Sequence, residues 1–562
     1  MSESSTHERL DAEFAHEVEE NQLRLRGSLK ATYDFIVCGS GSAGSVVARR
    51  LAENPGVSVL LIEAGGSDSS PEVEMAAAWP LNLGSARDWG FTALPNPHLN
   101  GRAVPMPMGK VLGGGSSINF MVWARGHKSD WDYFAAEAGD PAWSYESVLA
   151  IYREIENWQG APDPARRGRD GLLYITPPIE PNPVAVAMLD AAAEQGISVF
   201  DDPNGVMMEG PGGASYHNLR IRDGRRQSIF RSYTYPLMNQ PNLTVLPGAL
   251  VTRVLIERGV ATGVECLLDG RRHRFQASQE VILSLGAIHT PKVLMQSGIG
   301  DSETLASLDI PLIQHLPGVG ANFQDHIMVS CCLWEYPEPI APHHIGEASI
   351  FAKSTPELEC PDIELLQTQC PLPTPELAAR YTIPTGSWGF LAAVLRPHSV
   401  GRLRLTGAKP EDPILIDSQI LSDPADLTAL RRCVELARKV GNAQALQGFV
   451  KREVMPTALT SAAMDEFIRD GAMGLWHQSC TAKMGQDDMS VVDSRLKVYG
   501  IERLRIADAS VMPRVPLANT MAPSVIIGEQ ASRAIARDLS FEPIQVDWEF
   551  SDPPPPPTAS VS

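Results

Sequence analysis

The chain has 562 residues, more than one ordinary hydrophobic core needs, and its 43% hydrophobic and 20% charged residues are typical of a globular protein. The formal net charge of −20 argues against nucleic acid and anionic membrane as partners, because both repel an acidic surface. Eight scattered cysteines without a CxxC pair argue against a zinc site or a disulfide framework, so we predict no metal site and a reducing compartment.

The first predicted element is a helix within residues 1–30. This stretch is polar, with Leu10, Phe14, Val18 and Leu25 at roughly helical spacing, which is typical of a surface helix that packs on the body of a protein. Helical stretches then lie between some of the strand-like runs, as α/β layering requires. The strand-like runs are residues 33–38, 57–63, 243–246, 251–256 and 281–285.

The later part of the chain has a different pattern. Residues 326–476 alternate between apolar and polar positions in places, as at 401–405, and contain no nucleotide motif, which favours a separate antiparallel sheet. The proline-rich stretch 552–558 can form neither a helix nor a central strand, so it predicts a disordered tail.

A glycine fingerprint follows the first predicted strand. Gly39 allows a tight turn, Gly41 lets the backbone approach a pyrophosphate, and Gly44 lets the following helix pack closely on the strand. The N-terminus of that helix attracts phosphates. The next predicted strand ends in Glu63, nineteen residues after Gly44, where a carboxylate can bind ribose hydroxyls and disfavours a 2′-phosphate. These residues predict a bound dinucleotide and leave FAD and NAD open.

A second glycine-rich loop separates the two cofactors. Residues 109–119 contain three consecutive glycines and two serines, which offer backbone N–H groups at close range. The isoalloxazine and ribityl-diphosphate arm of FAD are long enough to need such a second cradle. The loop therefore favours FAD.

With these motifs the chain resembles the glucose–methanol–choline (GMC) family of flavin oxidoreductases, including its choline-oxidising and aryl-alcohol-oxidising members. Residues 109–132 match the first family signature and residues 286–300 the second, with further blocks at 317–326 and 504–513. The matches run in order from about residue 33 to residue 537. The resemblance implies an α/β fold in which a Rossmann-like FAD-binding domain carries a discontinuously inserted substrate domain with a mixed or antiparallel sheet.

We predict the following boundaries for this organisation. The segments are an N-terminal extension at 1–30, an FAD-binding domain at 31–155, 205–325 and 478–545, a substrate-binding domain at 156–204 and 326–477, and a proline-rich tail at 546–562.

The resemblance also implies which residues contact FAD. They are Gly39, Gly41, Ser42, Ala43, Gly44, Glu63 and Ala64 at the ADP half, Val251 at the adenine, Gly113, Ser117, Asn119, Phe120, Met121 and Val122 along the arm and ring, and Asp508, Ala509, Thr520 and Met521 towards the ribityl chain and the pyrimidine end. Some family members tether FAD through a histidine at the position that Met106 occupies here. Since methionine offers no such nucleophile, we predict noncovalent FAD.

The block at residues 476–485 resembles the family segment that carries the catalytic histidine, here His477. Asn519 occupies the position of the second catalytic residue, which is His or Asn in the family. Imidazole titrates near working pH, so His477 is suited to take the hydroxyl proton while the α-hydride passes to flavin N5. The amide of Asn519 can hydrogen-bond and orient the substrate oxygen. His326 is expected to make a structural hydrogen bond.

Three residues are candidates for substrate contact. Loose alignment with choline-oxidising members places Trp79 near an aromatic residue and Glu347 near a carboxylate that contact the quaternary ammonium, a pair that would suit a cationic alcohol. Trp476 suggests instead a flat, apolar wall that would accept an aryl or aliphatic primary alcohol. A free sugar would need more polar lining.

The leading hypothesis is FAD-dependent oxidation of a primary, non-sugar alcohol to the aldehyde, with reoxidation by O₂ or a quinone-type or dye-type acceptor. Two alternatives stay open: a flavin photodecarboxylase or lyase acting on a fatty acid, and a noncatalytic flavoprotein. The chain lacks a basic and apolar leader and any run of about 18 apolar residues, so we expect a soluble, cytoplasmic monomer or homodimer.

Overall fold

The first helix, Glu3–Gly27, packs beside Leu243–Leu246, the edge strand of the first of two seven-stranded sheets. This computed structural model describes residues 3–344 and 346–540. Gln22 acts as an edge partner, because its amide donates to the carbonyl of Leu243 at 2.9 Å and accepts from the N–H of Val245 at 2.9 Å. Val18 and Leu25 are buried, as their spacing predicts. The side chain of Leu10 and the predicted tail lie outside the described residues.

The first sheet has a parallel centre. From one edge its strands are Leu243–Leu246, Val59–Ile62, Thr32–Cys38 and Arg271–Leu283, and Leu504–Ile506 also pairs with the last of these. The pairings are parallel, and the paired segments, including the last four residues of Arg271–Leu283, are largely buried. The carboxyl ends of these strands therefore meet along one edge of the sheet, where a nucleotide site is expected.

The strand Arg271–Leu283 joins this parallel centre to an antiparallel ribbon. Its first half pairs with Val260–Leu268, which in turn pairs with Ala249–Glu257. Its second half pairs with Thr32–Cys38 in the parallel direction. The run predicted at 281–285 is thus the end of a much longer strand.

The second sheet is antiparallel, and most of its strands lie within residues 326–476, where a separate antiparallel sheet is predicted. The alternating run at 401–405 lies instead in a two-stranded sheet of its own. Its strands in spatial order are Arg452–Met455, Ile327–Glu335, Ser387–Val394, Ile363–Thr368, Ala348–Ala352 and Gly213–Tyr216, with Ala472–Gly474 also paired to Ile327–Glu335. The strand Gly213–Tyr216 belongs to this sheet, although the segment 205–325 is predicted for the FAD-binding domain; it is recruited by pairing with Ala348–Ala352. The other domain boundaries stay a prediction.

Helices cover the outer face of each sheet. The longer helices after the first are Ser42–Ala52, Lys128–Ala138, Tyr145–Ile155, Pro183–Glu194, Gly286–Gln296, Pro424–Gly441, Ser461–Gly471 and Met521–Asp538. The shorter helices are Pro71–Glu74, Ile229–Tyr233, Ser302–Ser307 and Pro375–Arg380. Within residues 3–344 and 346–540, no helix combines the length and apolar character needed to cross a bilayer.

Short strand pairs connect the two sheets and their helices. They are Phe91–Thr92 with Pro105–Met106, Glu156–Trp158 with Leu173–Ile175, Ile221–Arg222 with Arg225–Arg226, Ile299–Gly300 with Gln314–His315, and Arg402–Leu405 with Ile414–Asp417. The inner face of the second sheet turns Phe351, Leu366 and Leu391 towards the first sheet, where they join a buried cluster with Trp79 and Phe120. The predicted fold class is confirmed, and the candidate site lies at this junction.

Candidate active site

A single cleft runs between the two sheets. One end is lined by Glu63 and Val251 at the nucleotide-side sheet, and the other end by His477 and Asn519. Both glycine-rich loops line its middle. The cleft therefore connects the predicted adenine site to the predicted reacting pair.

The three fingerprint glycines have different surroundings. Gly39 has φ +99°, and a Cβ there would lie 2.2 Å from the carbonyl oxygen of Ser284. A Cβ on Gly44 would lie 2.0 Å from the carbonyl oxygen of Gly39, so both positions require glycine. A Cβ on Gly41 would meet no protein atom within 4 Å, because Gly41 borders the open cleft. Ser42 and Ala43 line the cleft beside it, whereas Gly44 lies in the supporting layer.

Glu63 is a buried carboxylate at the end of the strand Val59–Ile62. It accepts hydrogen bonds from the N–H of Ser40 at 3.0 Å, from the hydroxyl of Ser40 at 2.8 Å and from the N–H of Gly65 at 2.8 Å. Burial raises its pKa, while these hydrogen bonds act in the opposite direction. The bonds fix the carboxylate at the cleft wall, where Ala64 lies beside it.

The second glycine-rich loop packs directly on the first. A Cβ on Gly114 would lie 2.9 Å from the Cα of Gly41, so the close approach of the loops requires glycine at position 114. Gly113 has φ +90° and sits over Ser117, whose hydroxyl donates to the carbonyl of Leu112 at 2.6 Å. Gly113 and Ser117 thus lie in the layer behind the cleft. The residues of this loop that line the cleft are Gly109, Gly114, Gly115, Ser116, Ile118 and Asn119.

The segment after this loop is held by Asn119. Its side-chain oxygen accepts from the N–H of Met121 at 3.0 Å and from Arg226 at 2.8 Å. Met121 has φ +63°, which is unusual for a bulky residue and reverses the chain here. Asn119, Phe120 and Val122 line the cleft, and Met121 points into the layer behind it.

Asp508 links the start of the helix Gly286–Gln296 to the segment around Ser510. Its carboxylate accepts from the N–H of Gly286 at 3.0 Å, from the hydroxyl of Thr290 at 2.6 Å and from the N–H of Ser510 at 2.8 Å. Burial raises its pKa against the effect of these bonds. Asp508 and Ala509 both line the cleft.

Two helix N-termini point at the cleft from different sides. The helix Ser42–Ala52 begins at the first glycine loop, and the helix Met521–Asp538 begins beside Asn519 and Thr520. Unpaired N–H groups and the helix dipole make both ends favourable for negative charge.

His477 and Asn519 meet at the far end of the cleft. The Nε2 atom of His477 lies 3.2 Å from the side-chain nitrogen of Asn519, and its backbone N–H donates to Asp325 at 2.8 Å. Burial, and then the neighbouring His326, lower the pKa of His477 well below its ordinary value, so the imidazole is neutral. The preceding Trp476 has φ +62°, backbone strain of the kind that proteins keep at functional sites.

Two residues behind this pair were not assigned to the site from the sequence. The Nδ1 atom of His326 lies 2.9 Å from the Nδ1 atom of His477, and Asp325 anchors the backbone of the same residue. Both occur at the end of the family block 317–326, but no spacing in the sequence indicates which residue they contact.

The part of the cleft beside His477 has an aromatic and aliphatic lining. The ring of Trp79 lies 4.1 Å from that of Phe120 and 6.3 Å from that of Trp476, measured between centroids. Leu366 and Leu475 complete this wall. We call these five residues the aromatic box.

Glu347 requires a correction, because it does not line the cleft. It is buried, and its carboxylate accepts hydrogen bonds from the backbone N–H of Asn182 and from His343, the latter at 3.1 Å. Among the described residues that line the cleft, the carboxylates are Glu63 and Asp508, both on the nucleotide side. The aromatic box therefore has no acidic residue in its wall.

The residues of the cleft fit FAD. Gly41 and Gly115 leave space where a Cβ would meet no protein atom, as a cradle for a closely approaching ligand requires. The hydroxyl of Ser284 and the side-chain nitrogen of Gln478 are buried at the cleft and have no hydrogen-bond partner within residues 3–344 and 346–540. Two helix N-termini supply the positive potential that a diphosphate and a flavin ring favour.

Known proteins share this architecture. The chain matches the family model of GMC oxidoreductases in two parts, residues 33–328 and residues 397–528. Mitochondrial choline dehydrogenase of Mus musculus is 36% identical over 556 residues, covering 91% of each chain. Oxygen-dependent choline dehydrogenase of Brucella suis is 36% identical, covering 92% of this chain and 99% of its own.

A solved structure gives the same result. Pyridoxine 4-oxidase from "Mesorbium loti" superposes with a TM-score of 0.85 at 30% identity, covering 89% of this chain and 98% of the other. The resemblance seen in the sequence is thereby confirmed. The chain belongs to the GMC oxidoreductases, FAD-dependent enzymes that act on CH–OH donors.

Proposed function

We propose that this enzyme oxidises an uncharged primary alcohol, with an aryl or aliphatic body, to the aldehyde. The observation that carries the proposal is the position of the His477–Asn519 pair, which lies where the FAD cleft opens into the aromatic box. A proton acceptor and an apolar pocket then meet at one point. An alcohol with an apolar body satisfies both.

Different residues along the cleft would hold different parts of FAD. Glu63 and Val251 would meet the adenosine, the two glycine loops the diphosphate, and Thr520 with Met521 the pyrimidine edge of the ring. When bound, FAD supplies the acceptor for the hydride that leaves the carbinol carbon. We propose noncovalent binding, because Met106 stands at the family's tethering position and is fully buried outside the cleft lining.

His477 would take the hydroxyl proton of the substrate at Nε2. Its neutral imidazole is ready to accept a proton at neutral pH, and the Asn519 amide lies close enough to orient the same oxygen. The positive charge that develops on the imidazole stabilises the alkoxide-like oxygen. The rings of Trp79, Phe120 and Trp476 pack against one another beside this point.

The aromatic box favours an uncharged substrate over a cationic one. Aromatic rings attract a quaternary ammonium through cation–π interaction, and a nearby carboxylate would add the Coulomb attraction that strengthens the preference for a cation. Here Glu347 turns to Asn182 and His343. We therefore propose a substrate class that differs from the choline named for the relatives.

The test compares choline with its uncharged carbon isostere, in which a tert-butyl group replaces the trimethylammonium, alongside benzyl alcohol. Anaerobic stopped-flow measurement should show flavin bleaching that is faster with the isostere and benzyl alcohol than with choline. No bleaching with any alcohol would contradict the proposal, and preference for choline would contradict the substrate class. Oxygen uptake compared with reduction of a quinone or dye then identifies the acceptor, and flavin released by acid precipitation supports noncovalent binding.

The alternative functions make different predictions in the same assay. A photodecarboxylase would need a carboxylate-binding arginine and would act under blue light, whereas the described residues that line the cleft include no arginine. A noncatalytic flavoprotein would be insensitive to replacement of His477. The proposed enzyme works in the dark and loses about 10²–10⁴-fold in rate with His477→Gln.

A further inference from the structure

His326 lies on the far side of the His477 imidazole from Asn519. The two histidine rings are perpendicular, with centroids 4.9 Å apart, and their Nδ1 atoms face each other at 2.9 Å. The Nε2 atom of His326 faces the carbonyl oxygen of Pro516 at 2.8 Å. A continuous chain thus runs from Pro516 through both imidazoles to the cleft.

The protons in this chain are fixed by elimination. A carbonyl oxygen can only accept, so His326 must carry its proton on Nε2. A neutral imidazole has one N–H, which leaves Nδ1 of His326 as an acceptor. His477 must then donate from its own Nδ1, which leaves its Nε2 as an acceptor that faces the side-chain N–H of Asn519 at the cleft.

This assignment requires a neutral His326. Burial is the largest influence and lowers its pKa to about 3, and the positive charge of Arg396 acts in the same direction. Asp325, the adjacent acid, is buried, and its own pKa is raised to about 8, so it carries little charge at neutral pH. The charges around His326 therefore favour the single-proton form.

The Pro516 carbonyl is held in place from both sides. Arg396 donates to the carbonyl of the preceding Val515 at 3.1 Å, and Gln324 accepts from the Val515 N–H at 3.1 Å. Asp130 accepts from the N–H of the following Leu517 at 2.7 Å. The acceptor that orients His326 is thus part of a fixed segment.

We propose that His326 is a positioning residue that selects the His477 tautomer whose unprotonated Nε2 faces the substrate. The inference rests on the proposed function, in which His477 takes the hydroxyl proton. As the substrate O–H bond breaks, an N–H bond forms at Nε2 of His477. The Nδ1–H of the resulting imidazolium keeps its hydrogen bond to the lone pair of His326, which stabilises the added charge.

The direct test is the tautomer itself. In NMR spectra of the holoenzyme labelled with [¹⁵N]histidine, the signals of His477 are identified as those that disappear in His477→Gln. They should show a protonated Nδ1 and an unprotonated Nε2. A His477 signal with a protonated Nε2 would overturn the proposal. This measurement uses the unmodified residue at position 326, so it determines the tautomer even if replacements there fail to fold.

Two variants then separate positioning from packing. His326→Asn places an amide oxygen near the Nδ1 position, so it can still accept from His477 and should keep most of the activity. His326→Leu fills the space without an acceptor and should lose at least about 10²-fold in the rate of flavin bleaching. FAD content and Tm are measured for both variants. If His326 served only packing, the loss of bleaching rate would parallel a loss of FAD or a decrease in Tm.

The outcomes distinguish this inference from the proposed function. If the wild type bleaches with alcohols but the two variants lose activity equally while retaining FAD, the positioning role of His326 is wrong. The proposal that His477 is the base is unaffected by that result. If the wild type bleaches with no alcohol, the proposed function fails, and the tautomer is still read from the labelled holoenzyme.

Discussion

The carboxyl group of Asp325 accepts a hydrogen bond from the backbone N–H of His477 through one oxygen, while its other oxygen is buried without a partner. A Cβ on Gly474 would lie 2.2 Å from that second oxygen, so the chain packs tightly around it. The loop that carries the proposed base is therefore built over an acid that prefers to be uncharged.

We expect Asp325→Asn to remove a pH dependence of stability. Burial raises the pKa of Asp325 from its ordinary 3.8 to about 8, so the folded state keeps a proton that the unfolded state releases. Stability from this group is complete below its unfolded pKa and is lost as the pH rises to about 8. The variant keeps the oxygen that accepts from His477. The difference between its Tm and that of the wild type should therefore increase in favour of the variant from about pH 5 to about pH 8.

The control for this prediction is Asp487→Asn, at an acid whose pKa is lowered by Lys483. Asp487→Asn should lower the Tm at neutral pH, because it removes a carboxylate that is stabilised in its charged form. A Tm difference for Asp325→Asn that stays constant across the pH range would contradict the prediction.

The pH dependence of kcat/KM should report the depressed pKa of His477. Protonation of Nε2 removes the base as the pH falls, and burial places this loss below the ordinary value of 6.5. Asn519→Asp would place a carboxylate about where the amide now lies, favour the imidazolium and move the acid limb to higher pH. Asn519→His, which keeps an N–H donor, serves as the control and should leave the limb nearer its original position.

Much of the fold follows from the sequence because its signals are local. The strand Leu243–Leu246 has the predicted bounds, and the contact that requires glycine at position 44, with the carbonyl oxygen of Gly39, lies within one strand–turn–helix unit. Met121 could not be placed from the sequence in the same way. Its φ of +63° turns it behind the cleft, although its neighbours on both sides line it.

Long-range partners explain what the sequence could not predict. Glu347 turns away from the cleft because the N–H of Asn182, 165 positions earlier, captures its carboxylate. His326 and His477 are 151 positions apart, so no local pattern indicates their contact. A resemblance can assign a residue to a region, but it does not fix the direction of its side chain.

Gly41→Ala should weaken FAD binding without destabilising the apoprotein. The added methyl meets no protein atom within 4 Å but projects into the cleft, where the diphosphate would approach. We expect the Kd for FAD to rise about tenfold or more, with an unchanged Tm of the apoprotein. Gly448→Ala, also without a neighbour within 4 Å but exposed and far from the cleft lining, is the matched control. Equal FAD affinity in both variants would show that Gly41 does not face the cofactor.

A carboxylate introduced into the aromatic box should change the substrate preference towards a cation. Leu366 lies on the strand Ile363–Thr368, opposite Leu391, and lines the cleft. Leu366→Glu adds a charge there, and Leu366→Gln has the same shape without the charge. At about pH 9, where even a carboxyl with a raised pKa is ionised, the ratio of kcat/KM for choline to that for its carbon isostere should be at least about tenfold higher in the Glu variant. Both variants bury a polar group and should lower the Tm, so the comparison between them isolates the charge. If the ratio is the same in both, Leu366 does not face the substrate, and the specificity is determined elsewhere in the cleft.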